Sequence, residues 1–92
     1  MKEEKVRAHL KVYGRVQGIG FRYFAVFNAK ALGVKGFIKN LRDGSVEGVF
    51  EGEKEDVENL IERIKRHPFA RIDKIEIKWG KGKDEFKDFD MY

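Results

Sequence analysis

A chain of 92 residues has room for one small domain built around one hydrophobic core. It contains no cysteine, which excludes disulfide staples and thiolate zinc sites, and no run of 18 apolar residues that would form a membrane-spanning helix. Twenty Lys and Arg against 16 Asp and Glu leave a formal charge of +4 with the signs interspersed, a mild bias towards small anions and not the dense basic tract that follows a nucleic-acid backbone.

Met1 is followed by Lys2, Glu3, Glu4 and Lys5 with no apolar leader, so a cytoplasmic protein with no membrane partner is expected. Ala8, Leu10 and Val12 alternate with His9, Lys11 and Tyr13, the period of a half-buried strand that ends at Gly14. From Phe21 to Leu32 the period turns helical, with Phe21, Phe24, Ala25, Ala29 and Leu32 in one stripe and Gly33 placed for a left-handed cap. Val34 to Asn40 reads as a strand, Leu41-Arg42-Asp43-Gly44 as a hairpin turn, and Val46 to Glu51 as the returning strand. Glu53, Glu55 and Asp56 open a second helix in which Val57, Leu60, Ile61 and Ile64 share one face. Arg63, Lys65 and Arg66 crowd its end, so the charges at both ends suit the helix dipole. After Pro68, Ile75, Ile77 and Trp79 alternate as a further strand, Gly80-Lys81-Gly82-Lys83 breaks it, and Phe86 to Tyr92 reads as a short terminal strand.

The order βαββαβ with a terminal tail specifies an α+β fold, the ferredoxin-like split βαβ sandwich. Its antiparallel sheet carries both helices on one face, in a single domain over residues 1–92. No linker, repeat or low-complexity stretch interrupts it. Enrichment in charged residues, at 39%, leans towards a thermophilic source, against which the single proline counts.

Between the first strand and the first helix lie Gly14, Gly18 and Gly20, followed at once by Arg22. Glycines let main-chain N–H groups approach a ligand, a helix N-terminus adds unpaired donors, and a guanidinium grips two oxygens together. The glycines alone equally describe a tight strand-to-helix turn; Arg22 tips the reading towards a phosphate cradle. Asn40 ends the second strand just before the hairpin. It reads either as a turn residue of the Asx kind or as a hydrogen-bonding anchor for a water, since its amide does not titrate.

The rest of the inventory narrows the chemistry. Threonine is absent and Ser45, the only serine, has no histidine near it in sequence, which disfavours covalent catalysis through a hydroxyl. His9 reads as an exposed strand residue and His67 as a helix-end cation, and neither has the spacing of a metal ligand, so no metal site is expected. Asp43, Asp88 and Asp90 look like turn and tail carboxylates. The glycine loop lacks the Gly-Lys-Ser/Thr of a P-loop, and Tyr23 stands where a dinucleotide motif needs its third glycine.

Gly14-Arg15-Val16-Gln17-Gly18-Ile19-Gly20-Phe21-Arg22 resembles the first signature of the acylphosphatase family, Gly-x-Val-Gln-Gly-Val-x-Phe-Arg, departing only in the conservative Ile19. Gly36-Phe37-Ile38-Lys39-Asn40, with Gly44, Val46 and Gly52 at matching spacing, resembles the second; Ile38 is bulkier than usual there. The resemblance implies the same ferredoxin-like fold and the hydrolysis of a carboxylic-phosphoric anhydride by direct in-line attack of water, without cofactor or metal. By the matching positions, the implied catalytic residues are Arg22, which binds the phosphate, and Asn40, which positions the nucleophilic water. Arg15, Val16, Gln17, Gly18, Ile19, Gly20, Phe21 and Arg22 form the implied phosphate-binding loop. The implied partners are a small-molecule acyl phosphate and inorganic phosphate as product and inhibitor.

Two other functions share the element order. A nucleic-acid-binding module is disfavoured because Lys35-Gly36-Phe37 begins like an RNP1 motif but continues with Ile38, Lys39 and Asn40 on the second strand instead of the third. A regulatory ligand-binding module has no motif behind it.

Overall fold

In the computed structural model, which describes residues 4–92, the elements are β1 (Lys5–Arg15), α1 (Phe21–Leu32), β2 (Lys35–Asn40), β3 (Val46–Glu53), α2 (Lys54–Lys65), β4 (Arg71–Lys81) and β5 (Phe89–Met91). The sheet order is β4-β1-β3-β2-β5. β1 lies antiparallel to β3 and β4, and β2 antiparallel to β3. The alternation seen in the sequence places Ala8, Leu10, Val12, Ile38, Val46 and Phe50 on one face. Phe21, Ala25 and Ala29 of α1 and Val57, Leu60, Ile61 and Ile64 of α2 close over that face to complete the core. No helix among the described residues is long and apolar enough to cross a membrane.

The expected sandwich is therefore present, with corrections at its edges. The sheet is mixed and not wholly antiparallel, because β5 pairs in parallel with β2, Gly36 opposite Phe89 and Ile38 opposite Met91. The direction follows from the path of the chain. β4 ends at one edge, residues 82–88 cross to the other edge at that same end of the sheet, and the returning strand must run opposite to β4 and hence along β2. β5 is three residues long, shorter than the expected Phe86 to Tyr92. β4 runs through Gly80 to Lys81 instead of breaking there, since Val6 and Arg7 of β1 supply partners for both residues. Glu53 closes β3 and caps α2 with extended backbone angles, so the helix starts at Lys54. Trp79, on the edge strand, is exposed.

The crossing segment is pinned by a buried carboxylate. Glu51 accepts hydrogen bonds from the N–H of Lys83 (2.8 Å) and Glu85 (3.3 Å) and from Arg7 Nε (3.0 Å), and the Arg7 guanidinium lies 5.1 Å from the Phe86 ring centre. Burial pushes the Glu51 carboxyl up, but the Lys83 N–H, Arg7 and the Glu85 N–H together outweigh it and hold it below its ordinary value. One paired charge thus fixes a segment that has no secondary structure of its own.

Gly36 shows how closely the strands are seated. Its φ is +137°, and a Cβ built there would stand 1.8 Å from the carbonyl oxygen of Val49. Gly36→Ala is expected to lower the unfolding free energy by about 3 kcal/mol or more, read as a lower urea midpoint at an unchanged m-value. A loss below about 1 kcal/mol would show that β2 can slide to admit the methyl group.

Candidate active site

β1 and β2 are each antiparallel to β3, which lies between them, so both run the same way and their C-terminal ends meet one edge of the sheet. Val12, Val46 and Asn40 form one row across that edge. Arg15 ends β1 there, and the loop that follows reaches α1 beside the turn that follows Asn40.

β1 carries an irregularity between Tyr13 and Gly14, two residues before the loop leaves it after Arg15. Val16 turns inward and is buried in the core, anchoring the segment from below. Gly18 and Gly20 adopt left-handed angles, φ +75° and +76°, with open space where a side chain would project, so what they supply is backbone conformation. Gly20 occupies the N-cap position, where it offers no side chain to the helix, and the first turn of α1 holds no acidic residue. The first helical bond runs from Phe24 N–H to Gly20 O (3.0 Å). The N–H groups of Phe21, Arg22 and Tyr23 therefore precede the helix ladder and, with the dipole behind them, make the loop attractive to an anion.

Arg22 is half-buried, and its Nη1 donates to the carbonyl oxygen of Tyr92 at 2.7 Å. Tyr92 N–H in turn donates to Ile38 O (2.9 Å), so the main chain that follows β5 stands between β2 and the guanidinium. A planar fork with five N–H groups keeps further donors for a bound oxyanion when one is engaged in this way.

Asn40 faces the helix side of the sheet in the row of Val46 and Val12. Its Oδ1 is buried without a hydrogen-bond partner among the described residues. The turn beyond it is tightly organised. Leu41 N–H donates to Ser45 O (2.8 Å), Gly44 N–H to Leu41 O (3.2 Å), and Ser45 offers both its N–H and its hydroxyl to Asp43 Oδ1. Gln17 Nε2 then reaches across from the loop and donates to both Leu41 O (2.8 Å) and Ser45 O (2.9 Å).

The fold thus brings Arg22, Asn40 and the Arg15 to Phe21 loop to one edge. The two histidines lie apart from them. His9 pairs with Glu47 at 2.6 Å on the outer face, exposed as expected. His67, at the end of α2 as expected, is buried: its ring lies 4.8 Å from that of Phe24, and its Nδ1 accepts the N–H of Phe69 at 3.1 Å. Among the described residues no group of His, Cys, Asp or Glu is arranged to hold a metal. A surface cavity of about 430 Å³ lined by Glu4, Val6, Lys54, Glu55 and Glu58 sits at the other end of the sheet, and its acidic lining does not suit a phosphate. The sequence reading missed two contacts, the grip of the Gln17 side chain on the turn and the Tyr92 carbonyl on Arg22. Both join positions far apart in the chain, where periodicity carries no signal.

Known proteins share this sequence pattern and fold. The sequence matches the family model described as Acylphosphatase over residues 8–91. It is 51% identical to the acylphosphatase of Thermococcus kodakarensis over 77 residues, 83% of this chain and 85% of the relative. To that of Caldanaerobacter subterraneus subsp. tengcongensis it is 44% identical over 89 residues, 96% of this chain and 99% of the relative. The crystal structure of the acylphosphatase from Bacillus subtilis superposes with a TM-score of 0.89 at 31% identity, covering 95% of this chain and 98% of the other.

The turn beside Asn40 has its own acid limit. The hydroxyl and N–H of Ser45, with Lys11 Nζ 3.4 Å away, lower the Asp43 carboxyl from 3.8 to about 2. A folded-state value below the unfolded one stabilises the turn fully above the ordinary value near 4, and the contribution is lost as pH falls through about 2. Carboxyl NMR titration is expected to find Asp43 near that value and to find it moved upward in Ser45→Ala. An Asp43 that titrates alike in both proteins would mean that the hydroxyl does not hold the carboxylate.

Proposed function

This chain belongs to the acylphosphatase family and hydrolyses acyl phosphates to carboxylate and inorganic phosphate; we propose that Arg22 and the loop from Arg15 to Phe21 hold the phosphoryl group while Asn40 holds the attacking water. The observation that carries the proposal is the Asn40 amide. A buried carbonyl oxygen without a partner costs about 1–3 kcal/mol, and this one lies at the edge where the loop gathers its N–H donors. An acceptor left open there suits the hydrogen of a water.

The substrate is already activated by a carboxylate leaving group, so positioning and charge stabilisation suffice. The N–H groups at the start of α1 and the Arg22 fork hold the non-bridging oxygens. The water oxygen enters opposite the acyl oxygen and bonds to phosphorus as the phosphorus–acyl oxygen bond breaks, and the carboxylate leaves with the electron pair. Asn40 does not titrate, so the proton of the water passes to a non-bridging oxygen of the phosphoryl group. Inorganic phosphate, the product, occupies the same donors and inhibits competitively. The reading includes no metal or cofactor, and it includes a cytoplasmic setting, supported by the cysteine-free composition.

Three measurements test it. Arg22→Ala is expected to lower kcat by roughly 10³-fold and to weaken phosphate binding, with Arg22→Lys only partly restored because the ammonium has no fork. Asn40→Ala is expected to lower kcat at least ~10²-fold while the phosphate Kd stays within about threefold, since the lost contact is to the nucleophile and not to the anion. Exhaustive chelation is expected to leave kcat unchanged. An Asn40→Ala protein that keeps most of its kcat, or activity that disappears with EDTA and returns with Mg²⁺, would sink the assignment.

A further inference from the structure

The Gln17 side chain does something that the phosphate loop does not require of it. Its amide NH₂ carries two hydrogens, and both go to main-chain carbonyls of the turn that follows Asn40, Leu41 O at 2.8 Å and Ser45 O at 2.9 Å. The orientation of the amide is unambiguous, because two carbonyl oxygens can be faced only by the NH₂ end. Each of these carbonyls already accepts one hydrogen bond from within the turn, Leu41 O from Gly44 N–H and Ser45 O from Leu41 N–H. Gln17 supplies the second donor to each, so both acceptors are fully used.

We infer that Gln17 is a positioning residue for the hydrolysis: its side chain locks the turn bearing Asn40 against the phosphate loop and thereby sets where the attacking water stands relative to the bound phosphoryl group. Sheet pairing with Val46 fixes Asn40 along β2. It does not fix the distance from the strand end to the loop, which is a separate segment of chain. The two Gln17 bonds bridge that gap over 24 and 28 residues of sequence and are the described hydrogen bonds that run directly from the loop to the turn. In-line displacement is sensitive to such a gap, because a misplacement of about 1 Å between nucleophile and target costs on the order of 10² in rate.

This inference rests on the role proposed for Asn40, and a double-mutant cycle separates the two. Gln17→Met keeps the length and bulk of the side chain and removes both donors; Gln17→Asn keeps the amide but is one methylene too short to reach both carbonyls. Each variant retains the main-chain N–H of the loop. With an acyl phosphate as substrate and inorganic phosphate as the binding probe, Gln17→Met is expected to lower kcat by roughly 10- to 100-fold while the phosphate Kd changes by less than about threefold. Gln17→Asn is expected to fall between it and the parent. In an Asn40→Ala background, Gln17→Met is expected to change kcat by less than about threefold, because a water no longer held cannot be further misplaced.

A purely structural role would lower the melting temperature without this non-additivity. If Asn40→Ala alone left kcat intact, the water-holding role itself would fail. If Asn40→Ala were crippled and Gln17→Met were within about twofold of the parent, only the Gln17 inference would fall. It would equally be overturned by kcat losses that multiply in the double variant, by a phosphate Kd that weakens in step with kcat, or by loss of the folded state in both Gln17 variants, which would assign the residue to the fold.

Discussion

The site depends on one constraint of the sheet, the position of β3 between β1 and β2 and antiparallel to both. Because β3 reverses direction relative to each neighbour, β1 and β2 are forced into the same sense, and the segments that leave them emerge side by side. One of those segments leads into a helix N-terminus and carries the anion donors; the other is a hairpin turn headed by an amide. The core formed by Leu10, Val12, Ile38, Val46 and Phe50 beneath the two helices holds the strand ends in place, and the Gln17 bonds then tie the one segment to the other.

Carboxylates on this half of the sheet are paired. Asp43, in the turn, is held by Ser45 and Lys11, and Glu76, on the outer face, by Lys74 and the Tyr13 hydroxyl. At the opposite end the buried carboxylate of Glu51 is used structurally. Replacing Arg7 alone would leave the buried Glu51 carboxylate without its counter-charge, whereas without Glu51 the Arg7 guanidinium would still pair with Glu85 at 2.7 Å. What that cluster secures is the path of residues 82–88, and through it the strand from which Tyr92 reaches the Arg22 guanidinium.

Much of this was legible in the sequence, for reasons that differ between elements. The α2 stripe of Val57, Leu60, Ile61 and Ile64 and the Asp43-Gly44 hairpin are local patterns, and local patterns survive into the structure unchanged. Arg22 stood out beside the glycines, whereas Asn40, which its strand-end position left open to an Asx-turn reading, was singled out by its match to the acylphosphatase signature. The parallel β5 was not, since a strand of three residues has no period to read and its partner lies more than fifty residues away. Nor was the continuation of β4 through Gly80, a residue of low strand preference kept in register by the ladder it shares with Arg7. The burial of His67 against Phe21 and Phe24 escaped because a polar residue at a helix end says nothing of the aromatics that a distant helix brings against it.

The crossing that ends in β5 also orders the entropy of assembly. The bonds that join loop and turn close spans of 24 and 28 residues, whereas the bond from Arg22 to Tyr92 closes one of 70. Each such closure draws on chain freedom that is returned only when the receiving edge already exists. β5 lies on the outer edge of β2, so the amide side of the edge is closed by contacts of short sequence separation and the guanidinium side by the longest of them.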